Sequence, residues 1–512
     1  LKRPMTSITR YLQATRIYTD SRALILFAFG IAAGLPNVLI FSTLTLWLGE
    51  AGIKRETITL FSWASLAYSF KFIWAPLLDS LQLPLLSPRL GKRRAWLLFS
   101  QIGVVAALCL MALTNPQTPQ ALFIMAAAAV LVGFFSATQD IAIDAYRIEI
   151  AEGNIQLQAV TSAMYVAGYR VGMLIAGAGA LYLAEYLGSG TKAYHYQAWQ
   201  YTYLCMALTM AIALLITLLS PTPTTDNNAA AHISPGNNLR LFALFLLCIA
   251  AFILAFRLSG AVFTFGGSPL IAFIRELLRF AAATTAATAA AYMAIRAGLI
   301  AKNIAAQAWL MPISDFFERY GKSALWLLLL IGFYRISDIV AGAIANTFYQ
   351  ESGFSKSEIA KVSKVFGLFM TLFGGFLGGL LSQRIALMRL MLLGGLLASL
   401  TNLLFSAWHY YPQMSMLYLT ISFDNFAMGL SNTVFVAFLS ALTSIRFTAT
   451  QYAIFSSFMT LFPKILGGYS GAMVDNMGSY PAFFCFTAAL GLPVLWLIHF
   501  IGRRMEFTHQ QP

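Results

Sequence analysis

The feature that most constrains this chain is the recurrence of apolar stretches of about twenty residues along nearly its whole length. A helix needs roughly 20 apolar residues to cross the hydrocarbon core of a bilayer. Backbone in lipid must satisfy its own hydrogen bonds, so such runs fold as helices. A length of 512 residues leaves room for about twelve to fourteen crossings and little else. Only 10% of the residues are charged, against about a quarter in soluble proteins, too few to coat a soluble surface.

The net charge of +14 invites a nucleic-acid reading. The placement of the charges argues against one. Arg89, Lys92, Arg93, Arg94, Arg147, Lys302, Arg319, Lys322, Arg384, Arg389, Arg446, Arg503 and Arg504 all fall on one side of the expected path. Bases gathered on one side mark the cytoplasmic face, so both termini are expected there. The opposite loops are base-poor or carry Lys54, Arg55, Lys192, Lys356 and Lys361 partly balanced by acids.

The expected organisation is a lead-in at 1–22, six spans within 23–219 and a linker at 220–239. An inserted hairpin at 240–300, an amphipathic interfacial segment at 301–322, six more spans within 323–502 and a tail at 503–512 follow. That is an all-α polytopic membrane protein of two six-helix halves with a central two-helix insertion, fourteen spans in all. The first apolar run, 23–48, is long enough to span and shows no cleavage site, so no signal peptide is expected. Leu1 is not expected to be the native first residue. The halves resemble each other weakly. GFFSATQDIAIDAY at 133–146 has a counterpart in GLSNTVFVAFL at 429–439, and Gln158 has one in Gln451. Repeated halves are characteristic of secondary transporters.

Ionisable groups inside spans are costly and normally face a cavity or a partner. Here they are Lys71, Asp140, Asp144, Arg170, Arg335, Asp338, Asp424 and Lys464. They fall in core spans 2, 4, 5, 7, 10 and 11, and spans 3, 6, 9 and 12 hold none. In the major facilitator fold every third helix faces lipid, which would produce this spacing. Asp140 and Asp144 share one helix face. Asp144 reads as structural, pairing with Arg147 or loop bases, whereas Asp140 has no local partner. Arg335 and Asp338 are three apart and can neutralise each other. Lys71, Arg170 and Lys464 have no acid within a turn, which points to an anionic substrate or to acids on neighbouring helices. Asp140, Asp338 and Asp424 are the titratable candidates for proton coupling. Tyr165, Tyr169, Tyr68 and Tyr334 lie near the cations, where their rings can stack on sugar or simply pack. Gly30, Gly34 and Pro36 in span 1 and Pro463, Gly467 and Gly468 in span 11 can bend helices or let them approach closely.

The four cysteines lie in apolar runs without metal or disulfide spacing, and the five histidines lie in loops or at span ends. No catalytic constellation, cofactor motif or metal cluster is visible. An intramembrane enzyme and a lipid-linked precursor flippase are the weaker rivals.

WAPLLDS at 74–80 followed by GKRRAW at 91–96 is similar to the loop of major facilitator transporters in which an acid and a Gly-Arg-Arg cluster clasp helix ends. Asp79, Gly91, Arg93 and Arg94 match it, with a longer gap between acid and glycine. A closer resemblance rests on GLPNVLIFSTLTLWL at 34–48, AYSFKFIWAPLLD at 67–79, SATQDIAIDAY at 136–146 and GYRVGM at 168–173. DFFERYGKSALWLLLLIGFYRISD at 315–338 and FTATQYA at 447–453 add to it. Together these resemble the AmpG family of muropeptide permeases over about 450 residues, both halves included. The resemblance implies proton-driven import of anhydro-muropeptides across the bacterial inner membrane. These glycopeptides come from cell-wall recycling, and their import feeds β-lactamase induction. Gln139, Asp140, Asp144, Tyr169, Arg170, Arg335 and Asp338 fall on the family pattern, and a base is expected at Lys464. It implies no cofactor and no obligate protein partner beyond substrate, protons and lipid. Another anionic or amphipathic cargo, such as a drug, a siderophore or a coenzyme A derivative, is the alternative.

Overall fold

The computed structural model describes residues 17–53, 68, 70–151, 153–189, 194–223, 235–263, 269–354, 356–467 and 470–504. Most of expected span 2, the tip of the inserted hairpin, the middle of the linker and both extreme termini lie outside the described residues. Among the described residues every regular element is helical.

Asp20 caps the first helix, its carboxylate accepting from the backbone N–H of Arg22, which fixes where the chain enters the bundle. Helix α1 (Ser21–Glu50) crosses with a wide turn at Leu39–Thr43. What is described of span 2 ends in a tight turn at Lys71–Ile73 and the short α2 (Ala75–Ser80). Then come α3 (Lys92–Ala112), α4 (Pro119–Ile150), α5 (Ile155–Tyr186) and α6 (Tyr196–Leu219). The insertion is α7 (Pro235–Val262) and α8 (Pro269–Arg296). The amphipathic segment is not one helix but two, α9 (Lys302–Trp309) and α10 (Met311–Tyr320), separated at Leu310 just before Pro312.

In the second half, expected span 7 is broken. Helix α11 (Ser323–Phe333) and α12 (Ile336–Glu351) meet at a turn formed by Tyr334 and Arg335. Then follow α13 (Gly367–Leu381), α14 (Leu387–Tyr410), α15 (Met414–Leu442), α16 (Thr448–Gly467), α17 (Ser470–Met477) and α18 (Tyr480–Arg504). Eleven of the described helices are long and apolar enough to cross a bilayer. The expected fourteen also required span 2, α8 and α16, which fall outside that set.

Glycines decide how closely the helices approach. Gly30 and Gly34 on α1 face Gly168 and Gly172 on α5, four residues apart on each helix. A Cβ at any of them would run into backbone of the partner helix, at Tyr165, Tyr169, Phe27 or Ile31. Small residues at such spacing let helix backbones touch in lipid, where dispersion replaces the hydrophobic effect. Gly374 on α13 and Gly429 on α15 do the same in the second half, against Phe426 and Thr371. The halves meet through α2, α4 and α5 on one side and α13, α15 and α16 on the other. Helices α3, α6, α14 and α18 pack within their own half.

Helices α7 and α8 pack on each other and touch the rest through one edge. Leu241, Leu244, Phe245 and Ala294 join the cluster around Trp74 and Leu77. Their outer faces stay exposed, including Leu246, Leu247, Ile253, Leu254 and Leu258. Arg279 is held inside the hairpin, over the Phe256 ring at 4.3 Å and donating to the Phe256 carbonyl.

Candidate functional site

The Gly-lined contact of α1 with α5 fixes the face of α5 that carries Tyr165, Tyr169 and Arg170. Asn37 on α1 donates to the Tyr169 hydroxyl at 3.4 Å, and the rings of Tyr165 and Tyr169 lie 6.2 Å apart. Arg170 points toward the other half, where its guanidinium contacts the Met428 sulfur at 3.8 Å. Arg335 sits in the break between α11 and α12. It contacts Asp338 at 3.5 Å through Nε and donates to Asn432 Oδ1 at 3.2 Å through Nη1. Tyr334, packed on Phe435, donates to the Met391 carbonyl and accepts from Ser431. Lys464 on α16 is exposed. Arg170 and Lys464 both lie within the field of Arg335. Met428 and Asn432 stand one turn apart on α15, so Arg170 of the first half and Arg335 of the second approach the same stretch of that helix, with Asp338 beside Arg335.

Lys71 does not join them. Of the two readings left open for it, an anionic substrate or an acid on a neighbouring helix, the second is what its surroundings offer: Nζ lies 3.6 Å from Asp144 Oδ2. The two groups sit on neighbouring helices, a proximity that spacing within one helix cannot reveal. The other Asp144 oxygen accepts from Arg147 at 3.3 Å. Asp140, one turn deeper, lies within the field of Lys71, and its Oδ1 has no hydrogen-bond partner among the described residues. The Gln139 amide is buried with both polar atoms in the same condition. A chain of charge thus runs Asp140, Lys71, Asp144, Arg147.

Arg147 is fully buried and links the halves rather than belonging to a loop. It donates at 2.7 Å to Ser162 and to Ser440 of the opposite half, and lies 5.0 Å over the Tyr452 ring. In the second half Asp424 accepts from Thr401 at 3.4 Å and lies within reach of the charge of Asp338.

At the basic end of the bundle the predicted clasp spans the halves. Arg93 reaches Asp79 at 2.8 Å, Glu149 at 2.7 Å and the Thr448 hydroxyl at 2.7 Å. Asp79 in turn accepts from the backbone N–H of Ala449 and Thr450 and from the Thr450 hydroxyl, capping α16 from the other half. A carboxylate there satisfies orphan N–H groups and the helix dipole together. Gly91 takes φ 78, a left-handed conformation that lets the chain turn into α3. Arg94 lies apart from the clasp and ties the end of α6, donating to the Thr217 carbonyl at 3.0 Å. On the second half Gln451 donates to Asp315 and Pro312 and accepts from Arg319. Tyr18 adds a further strap, donating to the Phe376 carbonyl on α13 at 2.9 Å. These polar contacts between the halves lie on the basic side of Arg170, so the structure is closed at that end. Sequence reasoning missed Tyr18, Asn37, Glu149, Ser440, Asn432, Thr448 and Tyr452. Glu149 carried a signal as an acid on the charged end of α4, and Asn37, Asn432, Thr448 and Tyr452 lay within quoted motifs without being singled out.

The sequence pattern of the Major Facilitator Superfamily matches residues 22–334. Among solved structures, a proton:xylose symporter of that superfamily superposes with a TM-score of 0.56 at 13% identity, covering 98% of this chain and 96% of the other. A peptide-bound transporter of the POT family gives 0.56 at 15%, covering 94% and 95%. At that identity the likeness concerns the fold. The fold is that of a multi-pass membrane transporter, not an enzyme.

Two relatives narrow the class. A Rickettsia felis transporter named AmpG 4 is 32% identical over 96% of this chain and 99% of its own. The anhydromuropeptide permease of Escherichia coli K12 is 30% identical over 97% of this chain and 83% of its own. The chain belongs to the Major Facilitator Superfamily and, within it, to the AmpG family.

Proposed function

We propose that this transporter imports anhydro-muropeptides across the bacterial inner membrane by alternating access, driven by the proton gradient. The observation that carries the reading is the approach of Arg170 from the first half and Arg335 from the second to Met428 and Asn432, one turn apart on α15. A muropeptide brings carboxylates to such a site and sugar rings to Tyr165 and Tyr169, with the Gln139 amide at hand. Relatives named for this cargo support the choice. The basic end, held by Arg93 and Asp79, faces the cytoplasm in this reading, as the distribution of bases requires. Both termini then lie inside.

Asp140 is the preferred proton carrier. It is buried beside Lys71, open to change partners, and one turn from the Asp144–Arg147 pair that grips the opposite half. Asp338 and Asp424 are the second-half candidates. Imported cargo would then supply cell-wall recycling and the β-lactamase signal. Uptake of labelled anhydro-muropeptide into proteoliposomes, with and without an inward proton gradient, tests the reading. Accumulation only with the gradient is expected. No uptake of this cargo, with uptake of another organic anion instead, would overturn it.

A further inference from the structure

Outside the transport pathway, the inserted hairpin carries five bases, Arg240, Arg257, Arg275, Arg279 and Arg296, against one acid, Glu276. Their positions are ordered. On α7, Arg240, Ala243, Leu247, Ala250, Leu254 and Arg257 follow at alternating steps of three and four, so they form one stripe of the helix. All six are exposed. Residues 241–256 and 280–295 contain no Asp, Glu, Lys or Arg. Arg240 and Arg257 are 17 residues apart, and so are Arg279 and Arg296. At about 1.5 Å of rise per residue, each pair is separated by about 26 Å. Arg279 lies 4.3 Å over the Phe256 ring, and a Cβ on Gly260 would meet its guanidinium at 3.1 Å. These contacts set Arg279 level with Arg257. The same step along two antiparallel helices then sets Arg296 level with Arg240. The four arginines therefore stand at two levels, with an uncharged slab between them.

That slab matches a bilayer. The hydrocarbon core is about 30 Å thick, and arginine stems reach outward to make up the difference. Tyr292 is exposed, with the Arg296 guanidinium 5.1 Å from its ring, and aromatic side chains of this kind gather at headgroup level. In this register Arg275 lies one turn beyond Arg279, so the charges of α8 fall at a boundary of the slab and not in its middle.

The bundle holds one end of the pair. Leu241, Leu244, Phe245 and Ala294 pack toward Trp74 and Leu77 near the clasp, all in the part of the hairpin nearer Arg240. At the other level Arg257 is exposed on the same apolar face as Leu254 and Leu258. A charge on a lipid-facing helix is costly unless a counter-charge meets it. Bases at the end away from the clasp also run against the one-sided distribution elsewhere in the chain. The guanidinium fork fits phosphate, and phosphate is the anion that a bilayer presents at this depth.

We infer that α7 and α8 cross the bilayer as two full spans, and that Arg257, level with Arg279, binds the headgroup phosphate of an anionic phospholipid at the face away from the clasp. Arg240 and Arg296 meet headgroups at the other face. Lipid thereby anchors the end of the hairpin opposite the one packed on the bundle. The assignment does not depend on the cargo.

Two measurements on the full chain test it. Val262 and Ala297, both exposed, lie at the ends of the two helices on opposite sides of the slab. With Cys109, Cys205, Cys248 and Cys485 replaced by alanine, Val262→Cys in intact spheroplasts should react with a membrane-impermeant maleimide. Ala297→Cys should react only once the membrane is opened. Labelling of both positions from the same side would overturn the two spans. Native mass spectrometry of the purified transporter, titrated with phosphatidylglycerol or with phosphatidylcholine of the same chains, reads the phosphate site. Phosphatidylglycerol should bind more tightly, and Arg257→Gln should weaken it roughly fivefold, the worth of one base near an anionic lipid. Arg257→Lys, which keeps the charge, should retain most of the binding. Arg257 is on the outer stripe of α7, so the packing of α7 on α8 survives either change. Equal binding of the two lipids by the wild type, or phosphatidylglycerol binding unchanged in Arg257→Gln, would overturn the site.

Discussion

At the residue scale the two charge clusters have different duties, and substitution separates them. Arg170, Arg335 and Lys464 are the proposed cargo contacts. Each change to Gln is expected to weaken muropeptide binding by about 1–3 kcal/mol, the range for a lost charge-assisted hydrogen bond, as read by titration calorimetry. Lys71 belongs with Asp144 instead. Its change to Gln should leave that affinity within about threefold while disturbing coupled uptake; a loss as large as for Arg170→Gln would move Lys71 into the binding site. For Asp140 the informative change is Asp140→Asn, which keeps shape and removes titration. Gradient-driven accumulation should disappear while binding and exchange persist. Accumulation that survives would pass the role to Asp338 or Asp424. The identity of these residues was legible in the sequence, because a charge within an apolar span is conspicuous. Their grouping was not. Lys71 and Asp144 are 73 positions apart and meet only because the Lys71–Ile73 turn packs against α4.

At the scale of elements, apolar periodicity gave the spans but not their breaks. The turn at Tyr334–Arg335 lies in the middle of a run that reads as continuous, and Arg335 in it reaches Asn432 on α15. The α1–α5 contact was foreshadowed by Gly30 and Gly34, yet its partners Gly168 and Gly172 could be matched to them only in three dimensions. Gly168→Ala drives a methyl into the Phe27 carbonyl. Overpacking of a tight contact typically costs about 1–3 kcal/mol. A lowered melting temperature in detergent is therefore expected, with a smaller effect from Gly342→Ala, where a Cβ meets nothing. Equal stability of both variants would show that α1 and α5 have room to separate. The inserted pair α7–α8 touches the bundle through one edge. Its replacement by a short linker should leave measurable uptake in a membrane-inserted protein. Complete loss of transport there would assign the pair a part in the cycle.

At the scale of the whole molecule the clasp at the basic end sets which way the cleft opens. The motif at 79–94 announced a clasp, but the sequence could not show that its acid reaches across the halves to cap α16. Asp79 satisfies two backbone N–H groups and a hydroxyl there while Arg93 binds it from behind. Asp79→Asn keeps a side-chain acceptor but removes the charge that favours a helix N-terminus, a loss of about 0.3–1 kcal/mol from the dipole alone. It also leaves Arg93 with Glu149 as its remaining acid. The state closed at the basic end should therefore lose population to the state open there. Alkylation of a cysteine at Ser440, buried against Arg147 in the closed state, measures that shift. The rate should rise in Asp79→Asn relative to Asp79 itself, and saturating muropeptide should change it less in the variant. Thr450→Val removes one of the bonds to Asp79 without touching charge, so a smaller rise is expected. If Thr450→Val raises the rate as much as Asp79→Asn, the clasp works through hydrogen-bond geometry and not through the carboxylate charge at the helix end.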